Sequence, residues 1–414
     1  MRAKFEDSYR ELSPEAARLF RLLGLHPGGG MGIDAAAALA GRTEEDTADL
    51  LDLLVDGHLV AETGDGRFRL HDLLRVYARE CAERDETQDG RDAALRGVLD
   101  FYLAGAAAAD RTLGPGRWRL GPAYDGVRPL AGKADAWEWL DAERENLRAA
   151  VEAAHARGWD EHVWWLCEAL WYFYFLRKHY RDWIDTHELG VESAVRCGDG
   201  AAEARMRTQL GSALAGRHRV DEAVREYTAA RDAARAAGHR QGEATAVESL
   251  GLELLGQERW DEAAEALETN VRLAGETGDP HAILLARHHL GRALSGVGDR
   301  DRALELLEPL PDAFVALAEP DRYNRGRALT SLGQEYLRRD RPDAAVNFFG
   351  QALEIMRAER AAEQQADLWC HLADAARLRR DPDAERAALA EARPLYESLG
   401  SPRAAGVAAR METV

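Results

Sequence analysis

The chain has 414 residues, of which 73 are acidic and 54 basic, giving a formal net charge of −19. That length exceeds one ordinary core and calls for two or three regions, and the charge argues against general nucleic-acid or anionic-membrane binding while favouring neutral or basic partners. Cys81, Cys167, Cys197 and Cys370 have neither metal nor disulfide spacing, residues 1–10 are charged rather than a leader, and the longest apolar stretch, 164–176, is too short for a bilayer and is broken by Glu168, so a cytoplasmic protein with reduced thiols is expected.

Leu12-Ser13-Pro14-Glu15 starts a helix, with Ser13 as N-cap, Pro14 at the first helical position and Glu15 in the first turn. Ala16, Leu19, Phe20 and Leu23 point inward, and the helix stops at Gly24 before a glycine run. A second helix covers 33–40. Thr43 caps a third, whose apolar face carries Leu50, Leu51, Leu54 and Val55. Residues 59–63 and 67–70 read as a β-hairpin around Gly64-Asp65-Gly66, and a helix over 71–83 closes the region. Three helices and a hairpin make a winged-helix arrangement, expected over 1–84. Its third helix would be the DNA reader, yet it carries Glu44, Glu45, Asp46, Asp49, Asp52 and Asp56 and no Lys or Arg. Duplex phosphates, one charge per ~1.7 Å of axis, would repel that face, so a structural or regulatory winged helix is expected and direct DNA binding is not.

Residues 8–28, from Ser8-Tyr9-Arg10 through His26-Pro27-Gly28, resemble the segment that follows the nucleotide-binding core of AfsR-type regulators, actinobacterial members of the NB-ARC, or STAND, signalling ATPases. Phe68-Arg69-Leu70-His71-Asp72-Leu73 is similar to the end of their winged helix, with Leu70-His71-Asp72 standing for a Met-His-Asp motif. The resemblance implies that His71, with Asp72, would contact ADP if an NB-ARC ATPase core were supplied in cis or in trans. No Gly-x-x-x-x-Gly-Lys-Ser/Thr is present, and the run Gly28 to Gly32 is followed by Ile33 and Asp34, so it lacks the Lys and hydroxyl that hold phosphate and Mg²⁺. No ATPase core, and no cofactor of the chain's own, is expected. On their own, His71 and Asp72 would cap the closing helix.

Residues 85–158 read as a helical connector. It has a polar linker at 85–90, a helix over 93–110, a Gly- and Pro-rich loop over 114–132 containing Trp118 and Tyr124, and a helix over 134–158 with Trp137, Leu140, Leu147 and Val151 as its stripe. The aromatic crowd that follows, Trp164, Trp165, Trp171, Tyr172, Phe173, Tyr174 and Phe175, could cage a ligand or stack bases. Core packing of a degenerate first repeat is the favoured reading.

Leu210-Gly211 recurs as Leu250-Gly251, Leu290-Gly291, Leu332-Gly333 and Leu372-Ala373, and Asp221, Asp261, Asp301, Asp343 and Asp383 follow about ten residues later. Ala223, Ala263, Ala303 and Ala345 come two residues after that. Such self-similarity signals stacked two-helix units whose apolar stripes are buried only against neighbours. Gly211 admits a close neighbour, Ala223 and Tyr227 face back on the first helix, and Asp221 is expected as N-cap of the second. The pattern resembles the tetratricopeptide repeat, with the sets Leu210, Gly211, Leu214, Ala223, Tyr227 and Leu332, Gly333, Tyr336, Ala345, Phe349. The family's repeat is about 34 residues; the longer period here implies an extra turn in the second helix. The expected fold is therefore mainly α, a winged-helix domain followed by an α-α superhelix over 159–400, with a tail at 401–414.

No metal or catalytic constellation stands out. His288-His289 are adjacent on different helix faces, with no Glu or His four residues on, and no nucleophile elbow or triad signature is present. A binding protein, not an enzyme, is expected. In tetratricopeptide arrays the first helix of each unit lines the groove. Carried over, this resemblance implies a partner-binding set of Arg205, Thr208, Ser212, Thr245, Glu248, Leu252, Leu285, His288, Arg292, Arg327, Thr330, Gln334, Asp367 and Asp374 for a peptide or protein. Arg292 and Arg327 would meet a peptide or carboxylate, and Asp367 and Asp374 a basic group. The expected role is the sensing region of a transcriptional regulator. The alternative is a stand-alone adaptor without a nucleotide switch.

Overall fold

The computed structural model describes residues 2–63 and 66–414, with side chains from Phe5 onward in its first helix. It divides into two compact units, one ending at His239 and one beginning at Arg240. The division falls inside the expected repeats. Each helix pair in a solenoid packs on its sequence neighbours, so no internal seam is dictated by the repeat itself.

The first unit opens with α1 (Arg2–Arg10), α2 (Pro14–Leu23), α3 (Ile33–Ala40) and α4 (Glu44–Asp56). Ser13 and Thr43 cap α2 and α4, accepting from Ala16 N at 3.2 Å and Asp46 N at 3.1 Å. Strands β1 (Ala61–Thr63) and β2 (Arg67–Arg69) pair antiparallel, Ala61 against Arg69. The turn residues Gly64 and Asp65 lie outside the described residues. Met31 bridges Phe68 on the other edge of β2, at 3.0 and 2.8 Å. The glycine run thus adds a third short edge to the hairpin. A Cβ on Gly28 would overlap the Asn146 side chain.

Helix α5 (Asp72–Asp85) begins one residue after His71, which occupies the N-cap position but makes no side-chain capping bond. The expected polar linker at 85–90 is a helical junction instead. Glu86 there accepts from Arg21 Nε and Nη2 at 2.9 and 2.6 Å, and Thr87 caps α6 (Gln88–Leu113). A half-buried guanidinium recruits the carboxylate, so this acidic patch folds in. Helix α7 (Lys133–Ala156) follows the Gly- and Pro-rich loop, and α8 (Asp160–Arg177), α9 (Tyr180–Cys197), α10 (Gly200–Gly216) and α11 (Val220–Ala236) complete the unit. In the aromatic crowd Trp164, Phe173 and Tyr174 are buried core, Trp165, Trp171 and Tyr172 are partly buried, and Phe175 is exposed; Trp183 of α9 is buried as well.

The second unit runs through α12 (Arg240–Gly256), α13 (Trp260–Thr277), α14 (Pro280–Val297), α15 (Arg300–Leu307), α16 (Leu310–Val315), α17 (Arg322–Arg338), α18 (Pro342–Ala358), α19 (Ala362–Leu378), α20 (Pro382–Ser398) and α21 (Arg403–Thr413). Small-against-large packing holds the pairs. A Cβ on Gly251 would lie 2.6 Å from Leu267, and one on Gly291 2.7 Å from Leu307; in the first unit one on Gly211 would lie 2.6 Å from Tyr227. Residues 401–414 are not a loose tail. Val407 of α21 is buried with Ala373, Leu389 and Tyr396, so α21 covers the apolar face that the last pair would otherwise expose.

The turns keep strict time. Residues with left-handed φ fall at 158, 178, 198, 218, 238, 258, 278 and 298, then at 340, 360, 380 and 400. Each helix plus turn therefore takes 20 residues, against 17 for half of the family's ~34-residue repeat. The additional length is shared by both helices rather than carried by the second. The turns also place Asp221, Asp261, Asp343 and Asp383 at the second helical position, with Arg219, Arg259, Arg341 and Asp381 at the N-caps. These aspartates act on the positive helix end through its dipole, not as caps. The single slip, 42 residues between Gly298 and Asp340, coincides with Pro309 and Pro311, which split one second helix into α15 and α16.

Candidate partner-binding cavity

Within the second unit, the first helices of three successive pairs present one face to a shared cavity of about 230 Å³. Helix α14 contributes His288 and Arg292, α17 contributes Tyr323, Arg327, Thr330, Ser331 and Gln334, and α19 contributes Gln364, Asp367 and His371. The positions recur at three- and four-residue spacing, which the 3.6-residue period places on one stripe. Six residues of the expected groove line it: His288, Arg292, Arg327, Thr330, Gln334 and Asp367. A second cavity of about 180 Å³ shares Arg292, Ser331 and Gln334 and continues to Trp260, Ser295 and Arg338.

Neutral hydrogen bonds fix the walls. His288 Nε2 lies 2.9 Å from Ser331 Oγ, Gln334 Nε2 lies 2.8 Å from His371 Nε2, and Thr330 donates to Gly326 O at 2.9 Å. Burial, joined by Arg327 and His289, holds His288 well below the usual imidazole range, so it is neutral at pH 7. The charges are unbalanced. Among the described residues Arg292 has no hydrogen bond or ion pair, and burial, then Arg327 and Arg338, lowers its pKa from the ordinary value. Among the described residues the Arg327 side chain bonds the neutral Asn324, at 2.9 Å, and has no ion pair, and Arg338 bonds Ser295 Oγ at 2.8 Å. Burial raises the pKa of Glu248 on α12, with Arg327 and then His281 opposing.

The expected aspartates and the residues outside the cavity fare differently. Asp367 accepts from Tyr396 and from Arg403 at 2.6 Å, and Asp374 from Arg410 at 2.7 Å. The basic group expected there is supplied by the chain's own α21. Thr245 donates to Gln241 O, Leu252 is exposed, and Leu285 packs beside the Leu284–Phe314 core. His71 and Asp72 are exposed at the start of α5.

In the first unit Arg205 and Thr208 are buried, and Ser212 donates to Thr208 O at 3.0 Å. Arg205 is no groove residue but part of a buried polar network. Its Nε donates to Glu168 Oε2 at 2.8 Å, and its guanidinium lies 4.1 Å from the Trp118 ring centre. Glu168 also receives Arg117 at 3.1 Å and Gln209 at 2.6 Å, while Arg117 and Arg119 reach Asp110 at 2.9 and 2.6 Å. Through these arginines and the buried Tyr124, the loop over 114–132 is pinned to α6, α8 and α10. Spacing rules missed this network. The usable signal was Glu168 itself, a carboxylate inside an apolar stretch, which must be paired when buried.

Residues 282–358 match the tetratricopeptide repeat. Across 98% of its length the chain is 31% identical to the regulatory protein AfsR of Streptomyces griseus, and across 58% it is 38% identical to AfsR of Streptomyces coelicolor. It spans 45% and 25% of those relatives' lengths. A looser likeness, with TM-score 0.45 and 13% identity over 99% of this chain and 64% of the other, is to a signal-transduction ATPase with numerous domains and a tetratricopeptide-repeat sensor from Pyrococcus horikoshii. The chain is thus AfsR-like and carries tetratricopeptide repeats. Among the described residues no helix is long and apolar enough to cross a membrane, and no group of three or more His, Cys, Asp or Glu is placed to hold a metal ion.

Proposed function

We propose that this chain is the partner-sensing region of an AfsR-like transcriptional regulator and works by binding, not by catalysis. The observation that carries the reading is the assembly of His288, Arg292, Arg327, Thr330 and Gln334 around one cavity on the first-helix face. A peptide or protein segment lies along that face. The N-terminal helices and hairpin form a winged helix that, with His71 and Asp72, docks on an NB-ARC ATPase core in a resting state; partner binding favours the released state. Supporting this part are the similarity to AfsR and the acidic α4, whose Glu44, Glu45 and Asp46 disfavour a DNA-reading role. A stand-alone adaptor would use the same face without the switch.

Site-specific photo-crosslinking tests the binding face. A crosslinker at Gln334, inside the cavity, should capture the partner in cells, whereas one at Asn347, exposed on α18, should not. Capture at Asn347 alone, or at neither position, would refute the proposal.

A further inference from the structure

We propose that the cavity between α14, α17 and α19 receives a carboxylate carried by an acidic peptide segment, with Arg292 and Arg327 as its counter-ions. This rests on the partner-binding reading and adds the chemistry of what enters.

Elsewhere in the chain, several arginines withdrawn from water have carboxylates: Arg117 with Asp110 and Glu168, Arg205 with Glu168, Arg21 with Glu86, Arg410 with Asp374 and Glu385; Arg75, another, donates to the carbonyls of His26 and Pro27. With 73 acidic residues available, two half-buried guanidiniums facing one cavity without a carboxylate between them are conspicuous. These are Arg292 and Arg327, and Arg338 stands in the adjoining cavity. Like charges brought together in reduced dielectric repel, and a partly desolvated cation without a counter-ion is costly. An incoming oxyanion removes both penalties. The carboxylates nearby do not fill the place. Asp367 is committed to Tyr396 and Arg403, and Glu248 stands at 3.5 Å from His289 with no ion pair to either arginine among the described residues.

Size and charge select the occupant. About 230 Å³ falls below the ~300–1,000 Å³ of typical small-molecule pockets, leaving room for a side chain or chain end. The neighbouring cavity shares Arg292, Ser331 and Gln334, so the surface continues as a track, which suits an extended segment better than an isolated ion. A net charge of −19 would repel a polyanion along its length. A single carboxylate senses mainly charges within a Debye length of about 8 Å.

Fluorescence polarisation on the full chain tests this with three probes: an amide-capped Ala-Glu-Ala-Glu-Ala peptide, its Gln counterpart, and inorganic phosphate as competitor. The Glu peptide should bind and the Gln peptide should not. Arg292→Gln and Arg327→Gln should each weaken binding at least tenfold. Arg292→Lys, which keeps charge but loses the fork, should fall between, and Arg287→Gln, on the exposed face of α14, should bind as the wild type does. Failure of the Glu peptide to bind, equal binding of the Gln peptide, or equal losses from Arg287→Gln and Arg292→Gln would overturn the proposal. Phosphate competing as strongly as the peptide would overturn it in favour of a free small anion. Should crosslinking place a partner here while these substitutions change nothing, the carboxylate fails and the binding face stands.

Discussion

Arg205 Nε donates to Glu168 Oε2 at 2.8 Å, and both side chains are buried. Burial alone would raise the Glu168 pKa, but Arg205 and Arg117 beside it reverse the sign and hold the carboxyl below its ordinary 4.5. Glu168→Gln strips two buried guanidiniums of their shared counter-ion, and breaking such a pair costs about 3–5 kcal/mol. Urea unfolding should show a loss of that size, larger than for Glu222→Gln on the surface. Because the folded pKa is depressed, the stability Glu168 contributes is complete above pH 4.5 and declines as pH falls further. A loss below 1 kcal/mol would contradict the account.

Histidine burial sets a second, higher acid limit. Burial pulls His26 from 6.5 to about 4, and its Nε2 lies 2.8 Å from Tyr102 OH. His187 is likewise lowered to about 4, again chiefly by burial. Unfolded chains take up these protons near pH 6.5, folded ones only near 4, so stability is full above 6.5 and is lost on the way down to 4. Each group accounts for at most roughly 3 kcal/mol across that window. Between pH 7 and pH 5, His26→Gln should lose less stability than wild type; an unchanged slope would exclude His26 as a contributor.

Two glycines of the second unit should respond oppositely to alanine. A Cβ on Gly333 would overlap the buried Phe349 ring, whereas one on Gly350 meets nothing within 4 Å. Overpacking costs about 1–3 kcal/mol, while relieving a helical glycine yields roughly 0.5–1 kcal/mol. Thermal melts of Gly333→Ala and Gly350→Ala should therefore move in opposite directions.

The uncompensated charge at Arg292 makes the cavity a local liability to the free chain. Arg292→Gln should stabilise it, on the order of 1 kcal/mol, readable as a higher Tm without ligand. A fall in Tm would mean that the guanidinium is held by favourable contacts after all.

The second half of the chain was legible because its constraints are local and repeated. Leu-Gly steps fix where helices touch, and carrying them forward found Arg292, Arg327 and Gln334 on one wall. The same arithmetic misplaced Arg205, since a face that is open in one pair is closed in another by the loop carrying Trp118. It also misjudged Asp367 and Asp374, whose partners Arg403 and Arg410 come from α21, the helix after the last pair, which lacks the repeat's Leu-Gly pattern. Glu86 looked like a solvated linker residue because its partner, Arg21, is 65 residues away. Periodicity reports contacts between neighbours; singular long-range ion pairs leave no period.

The twenty-residue beat of left-handed turns has a genetic reading. Cuts at Gly238 and Gly278 fall at equivalent points of the cycle, so unequal crossing-over there would add or delete a whole helix pair while preserving phase. A crossover joining Gly298 to Asp340 would likewise be in phase only by removing the proline-split segment entire. Lineages descending from such an ancestor can thus vary in repeat number on either side of that segment far more easily than they can trim it.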